Sequence, residues 1–289
     1  MFALLLLLQA QDTGSIFSPA VKALLDTRET LAPEEFVRRI ETLALQGDAS
    51  ASELAGEASN FGGIGWPRDP EKACGWFERA APQRGDSAHN LALCFENGQG
   101  RPQDLAKART LYASAARLGW VQAKCALGTL LASGRGGPKD TPRGVALCRE
   151  AAEAGNANAQ TDYAGWLLTG ANLPQDMVAA RRWLTDAAAQ GQHNAEFLLG
   201  QMLWNGDGGP ADPDAAVAWW KKAYAGGRTD AAALISRAAF RRAAPDGKTV
   251  TDREAAAEMM HWLRIAAAEE PDPKRRKEMA DILADIGKN

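Results

Sequence analysis

The chain has 289 residues, 46% of them hydrophobic and 24% charged, an ordinary composition that excludes a disordered, collagenous or disulfide-knot protein. Its 33 basic and 36 acidic residues leave a net charge of −3; without a clustered Lys/Arg stripe, no nucleic-acid partner is expected. The length suits one or two globular domains, or an array that grows along one axis without a single central core.

Residues 1–10 come first. Met1 is followed by the seven apolar residues 2–8 and then by Gln9-Ala10-Gln11. At about 1.5 Å per residue such a run cannot cross a hydrocarbon core of about 30 Å, so no membrane span is expected. The run reads as the apolar part of a signal segment. Leu8-Gln9-Ala10 loosely resembles a cleavage site, although the basic region that should precede it is missing. A periplasmic or secreted protein follows from that reading; a cytoplasmic protein with a frayed apolar end is the alternative. Residues 11–48 are expected to form N-terminal capping helices, with Phe36, Ile40 and Leu43 at helical spacing before a stop at Gly47-Asp48.

From residue 49 the sequence repeats. Gly119, Gly155, Gly191 and Gly227 are each 36 residues apart, as are Leu91, Leu127, Tyr163, Leu199 and Ile235. Several columns in one register are the signature of a stacked array. The first helix of each copy carries a large–small pair (Leu91-Ala92, Leu127-Gly128, Tyr163-Ala164, Leu199-Gly200), the small member letting a neighbouring helix approach. The second helix carries an i, i+3, i+4, i+7 stripe such as Ala180, Trp183, Leu184 and Ala187. Trp76, Trp183, Trp219 and Trp262 fall on this stripe and are expected in the core.

The joints repeat as well. The first helix should stop at Gly98, Gly134, Gly170 and Gly206, each a left-handed residue. A proline follows in every copy. Then Asp69, Asp104, Asp140, Asp176 or Asp212 is placed to cap the second helix. The last copy is irregular, with a longer connection over residues 243–251. Pro271-Asp272-Pro273 breaks its second helix, and a terminal helix follows.

These columns resemble the Sel1-like repeat family, a variant of the tetratricopeptide repeat. Residues 195–227 follow its pattern closely through Ala195, Leu199, Gly200, Gly206, Gly208, Asp212, Ala216, Trp219, Trp220, Ala223 and Gly227. The valine column of the family is absent, and Asn172 replaces one turn glycine. The resemblance implies an all-α fold: a right-handed superhelical α/α solenoid of about six helix–turn–helix repeats with irregular capping ends. Residues 49–270 would hold the repeats and 271–289 a C-terminal capping helix. It also implies an adaptor whose concave face binds a protein or peptide partner, with no cofactor.

Candidate chemistry is thin. The Gly-x-Gly turns lie between two helices in copy after copy and lack the strand, lysine and hydroxyl residues of a phosphate-binding loop. His89, His193 and His261 have no metal-ligand spacing to one another or to cysteine, so no metal site is expected, and they read as structural or solvent-facing. No nucleophile–base arrangement stands out, so no catalytic residue is assigned and the chain is not expected to be an enzyme. The run Lys274-Arg275-Arg276-Lys277 reads as a solvated helix start. Cys74, Cys94, Cys125 and Cys148 contain no CxxC pair; they are either reduced core residues or, in an exported protein, paired in one of three ways.

The binding surface is expected at the non-core positions of the first helices. Gln122, Thr129, Asn158, Asp162, Asn194, Phe197, Gln201 and Arg237 are the candidates, with Trp204 as a partly exposed anchor. Amides both donate and accept, which suits an extended peptide backbone. An exported envelope adaptor is the leading reading. A protein that binds or hydrolyses cell-wall fragments is the competitor, and it requires converging carboxylates or a nucleophile–base pair. A cytoplasmic signalling scaffold is the third reading. The sequence leaves the oligomeric state open.

Overall fold

The computed structural model of the chain describes residues 17–63 and 65–286. The expected signal segment, residues 1–10, lies outside them. Fifteen α-helices and one short 3-10 helix (Arg28–Thr30) are found among the described residues. Two capping helices come first, α1 (Pro19–Asp26) and α2 (Pro33–Leu45). Six helix pairs follow: α3 (Ala49–Phe61) with α4 (Pro70–Ala80), α5 (Gly85–Asn97) with α6 (Leu105–Arg117), and α7 (Val121–Ser133) with α8 (Thr141–Glu153). The remaining pairs are α9 (Ala157–Thr169) with α10 (Met177–Ala189), α11 (His193–Asn205) with α12 (Pro213–Ala225), and α13 (Ala231–Ala243) with α14 (Arg253–Glu269). The terminal helix α15 spans Pro273–Ile286. The chain divides after Ala154 into two compact units, so each unit holds three pairs.

A single aspartate organises each joint. Gly98 ends α5 in the left-handed conformation, φ 68°, and its N–H donates to the carbonyl of Cys94. The chain then turns back so that the Asp104 N–H donates to Phe95 O at 2.9 Å. The Asp104 carboxylate accepts from the Lys107 N–H at 2.9 Å and caps α6. Asp140, Asp176 and Asp212 repeat both bonds, to Leu131, Leu167 and Leu203 on one side and to the first turn of the next helix on the other. Each cap is worth about 1 kcal/mol. The Gly-x-Gly turns have a packing reason. A Cβ on Gly100, Gly136 or Gly208 would stand 2.2 Å from the carbonyl oxygen of Pro70, Leu105 or Met177, the first turn of the preceding second helix.

Side-chain packing follows the columns with one shift. The large first-helix residues Leu91, Leu127, Tyr163, Leu199 and Ile235 are buried, as are the small ones beside them. Gly128 meets Gly144 of α8 so closely that a Cβ there would lie 2.5 Å from the Gly144 carbonyl oxygen. The tryptophan column is less buried than expected. Trp76 is in the core, whereas Trp183, Trp219 and Trp262 are half-exposed. The next column carries the full burial: Phe77, Tyr112, Cys148, Leu184 and Trp220. The stripe is correctly periodic, but the helix is rotated so that the i+4 member points inward. Basic side chains lie over the half-exposed rings, Lys222 at 4.0 Å from Trp219 and Arg182 at 5.4 Å from Trp183.

The open question of the cysteines is resolved by two pairs, Cys74–Cys94 and Cys125–Cys148. The first joins α4 to α5 and the second joins α7 to α8, both within the first unit. In the second unit the irregular last copy closes through Ser236, whose hydroxyl donates to the Met259 carbonyl at 3.1 Å. The helix α15 is exposed along most of its described length.

Candidate functional site

Within each unit, the 36-residue register places equivalent first-helix positions on one face. Four columns recur on it: 54, 90, 126, 162, 198, 234; then 57, 93, 129, 165, 201, 237; then 60, 96, 132, 168, 204, 240; then 61, 97, 133, 169, 205, 241. Within one helix the first, second and fourth columns stand at i, i+3 and i+7 (54, 57, 61) and so share a side, and the third (60) lies beside the fourth.

In the second unit this face opens into a cavity of about 370 Å³. Leu198 and Leu234, one column, supply apolar walls with Leu168. Gln201 and Arg237, the next column, supply polar groups above them, and Trp204 and Asn205 complete the α11 side. The Trp204 ring is half-buried and leans on the buried Trp220, centroids 5.6 Å apart. The Arg241 guanidinium lies 5.4 Å from the Trp204 centroid. Asn205 donates to Asp207 at 3.1 Å. Among the described residues, the side chains of Gln201 and Arg237 make no hydrogen bond or ion pair, so their donors and the Gln201 carbonyl remain free for a ligand.

Three of the nine expected surface residues, Gln201, Trp204 and Arg237, are thus brought together. The others are not. The Asn194 amide oxygen accepts from Arg228 at 2.5 Å and the Asn158 amide oxygen from Gln192 at 3.3 Å, so each oxygen is held by a neighbour, away from the cavity. Phe197 is a correction. It is buried, 8% exposed, with Arg228 over its ring at 4.2 Å. It stands in the column of Glu53, His89, Cys125 and Thr161, all buried, so its register position faces inward whatever its side chain. Asp162 lies at the surface of α9, where the atoms packed around its carboxyl desolvate it and push its pKa up to about 6. Gln122 and Thr129 belong to α7 in the first unit, where the column positions are Ala126, Thr129, Ala132 and Ser133. The two hydroxyls bond back to their own helix.

Sequence reasoning missed Leu168, Leu198, Asn205 and Leu234. The signal that locates them is the column: Leu198 and Leu234, and likewise Leu168 and Trp204, are 36 residues apart.

The first unit brings carboxylates together. Glu53 on α3 is 4% exposed. One oxygen accepts from the Ser87 hydroxyl and the other from the Asn90 amide at 2.9 Å. Burial, then repulsion from Asp86, pushes its carboxyl up to about 8. Glu57, one turn on, is pushed up to about 7 by burial and by Asp86, against the pull of Arg84. An acid of raised pKa beside a second carboxylate is what hydrolysis of a glycosidic bond requires. Glu53, however, is sealed, with both oxygens engaged, and only Glu57 reaches an open cavity. His89 is buried between Tyr112 and Trp120, which drives its pKa down to about 4. His193 is exposed beside Glu196. No group of three His, Cys, Asp or Glu side chains suited to a metal ion occurs among the described residues.

Comparison with known proteins follows the same register. A family model described as Sel1 repeat matches residues 49–83, 85–120, 121–156, 157–192 and 193–227. Among solved structures, the chain is similar to a Sel1 repeat protein from Oxalobacter formigenes, at 24% identity and a TM-score of 0.67, over 89% of this chain and 100% of that one. It is also similar to a protective antigen of uropathogenic Escherichia coli strains that displays an SLR fold, at 24% identity and a TM-score of 0.59, over 86% of this chain and 51% of that one. No match was found among curated proteins.

Proposed function

Because this chain belongs to the Sel1 repeat family, whose repeats typically serve as protein-interaction scaffolds, we propose that it is an exported adaptor. It binds a partner protein or peptide through its first helices, with the α9–α11–α13 cavity of the second unit as the principal seat. The observation that carries this reading is the convergence of a half-buried indole, a free amide and a free guanidinium over an apolar floor. Trp and Arg are the residues that most often anchor a protein interface. The amide and guanidinium suit a peptide segment that offers backbone carbonyls or a carboxylate.

Export is supported by the cysteines. All four are paired, and such pairing persists in oxidising compartments and is rare in the cytosol. Intact mass of the protein from its native host, with and without thiol alkylation, tests this part. Alkylation of four thiols would remove the export reading.

The binding site is tested by affinity capture with the wild-type chain and with the Trp204→Ala, Arg237→Ala double variant, at matched thermal stability. A stoichiometric partner held by the wild type and weakened at least about 10-fold by the variant is expected, since loss of an interface anchor costs about 2 kcal/mol. Equal binding by both proteins would move the seat elsewhere on the chain.

A further inference from the structure

The same four columns that build the cavity of the second unit also build one in the first unit, with opposite chemistry. Between α3 and α5 lies a cavity of about 200 Å³. Asn90 comes from the first column, Glu57 and Leu93 from the second, Asn60 from the third, and Phe61 and Asn97 from the fourth. Gln99 in the following turn and the joined Cys74 and Cys94 close it. The second-unit cavity presents Arg237 at the register position where this one presents Glu57.

We propose that the cavity between α3 and α5 is a receptor for one basic side chain, a lysine ammonium or an arginine guanidinium carried by a peptide partner. It is a second seat, independent of the one in the other unit, and four observations support it.

The first is size. At about 200 Å³ the cavity is below the range of about 300–1,000 Å³ typical of whole small-molecule ligands and matches a single long side chain. The second is charge. Glu57 is half-buried and, among the described residues, receives no hydrogen bond and no ion pair. The nearby Arg84 is committed to Asp86. A desolvated carboxylate whose one nearby guanidinium is bonded to another carboxylate is a deficit that a cationic ligand would relieve. The third is unspent polarity: the side chains of Asn60, Asn97 and Gln99 make no hydrogen bond among the described residues, and Asn90 uses only its amide N–H, toward Glu53. Their carbonyl oxygens are acceptors for the several N–H donors of an ammonium or guanidinium. The fourth is the rim. Phe61 is 62% exposed and Leu93 37% exposed, apolar surface suited to the methylene stem of such a side chain.

The charged groups around Glu57 are Glu53 on its own helix and Arg84 and Asp86 at the start of α5. In the unliganded protein Glu57 is neutral to a large extent at pH 6, since burial holds it near pH 7. A cation that binds only the carboxylate form therefore binds more tightly as pH rises from 6 to 8.

The test is an NMR titration of the full oxidised chain with Nα-acetyl-lysine amide, read on the side-chain amides of Asn60, Asn90, Asn97 and Gln99. Saturable shifts of these four are expected with the lysine probe and not with the isosteric Nα-acetyl-norleucine amide. Glu57→Gln should weaken the lysine probe at least 10-fold, Arg237→Ala should leave it unchanged, and affinity should rise at least threefold from pH 6 to pH 8. Equal shifts with norleucine would make this an apolar pocket. No saturable shift, or full binding by Glu57→Gln with its fold intact, would overturn the proposal. Because partner capture through Trp204 and Arg237 reports only on the other unit, either seat can fail alone.

Discussion

Each joint hangs on one aspartate that serves two helices, its N–H bonded back to the first and its carboxylate capping the second. Asp176→Ala should cost about 1 kcal/mol, and Asp176→Asn much less because an asparagine oxygen caps nearly as well; urea denaturation at pH 7 measures both. These caps were fully legible in the sequence, since a cap is a local device that shows as Gly, Pro and Asp at fixed offsets. The Glu53 network was not. Its partners Ser87 and Asn90 stand 34 and 37 residues away, and nothing beside Glu53 in the sequence separates it from a solvated glutamate. Its effect on stability has a definite sign. The folded pKa near 8 lies above the usual carboxylate value, so the unfolded chain loses this proton first. Stability from this group is complete below about pH 4.5 and is lost as pH rises toward 8. Glu53→Gln should therefore flatten the fall in Tm between pH 5 and pH 8 relative to wild type, as thermal melts across that range will show.

At the scale of helices, close crossing is what the small column supplies. Gly128 faces the backbone of Gly144, and a methyl group there would push α7 off α8. Gly128→Ala should destabilise the first unit by about 1–3 kcal/mol despite the better helix propensity of alanine. Gly165 lies in α9 with nothing within 4 Å of a built Cβ. Gly165→Ala should stabilise the second unit by about 0.5–1 kcal/mol. Chemical denaturation of the two variants, which carry the same chemical change, checks the opposite signs. Helix positions and joints were legible because 3.6-residue and 36-residue periods reinforce one another. The rotation that half-exposes Trp183 and Trp219 was not, because an i, i+3, i+4, i+7 stripe names the side that packs and leaves open which member lies deepest. The same limit misplaced Phe197, although its column neighbours Cys125 and Thr161 mark that position as interior.

For the molecule as a whole, the repeat count was legible and the division after Ala154 was not. Gly155 occupies its column as regularly as Gly119 and Gly191, so periodicity runs through the boundary without a mark. The cysteines make the two units chemically unequal. Both disulfides lie before Ala154, and closing loops of this length contributes on the order of 3 kcal/mol each. Hydrogen exchange with and without a reductant should show protection lost in α4 to α8 and retained in α10 to α14. Uniform loss along the chain would mean that the second unit depends on the first.

The reach of the turn glycines sets a direction in time. Gly100 rests on Pro70, Gly136 on Leu105 and Gly208 on Met177, in every case a segment synthesised earlier. The disulfides obey the same order, each cysteine joined to the next one in the chain. A nascent chain emerging from a ribosome or a translocation pore thus finds these partners already outside, and within each unit a finished pair of helices is the template on which the following pair settles. Oxidative refolding followed by pulse-alkylation should accordingly pass through species holding one native bond, with crossed pairs such as Cys94–Cys125 staying minor. The protein is built so that its first half can be locked before its last half exists.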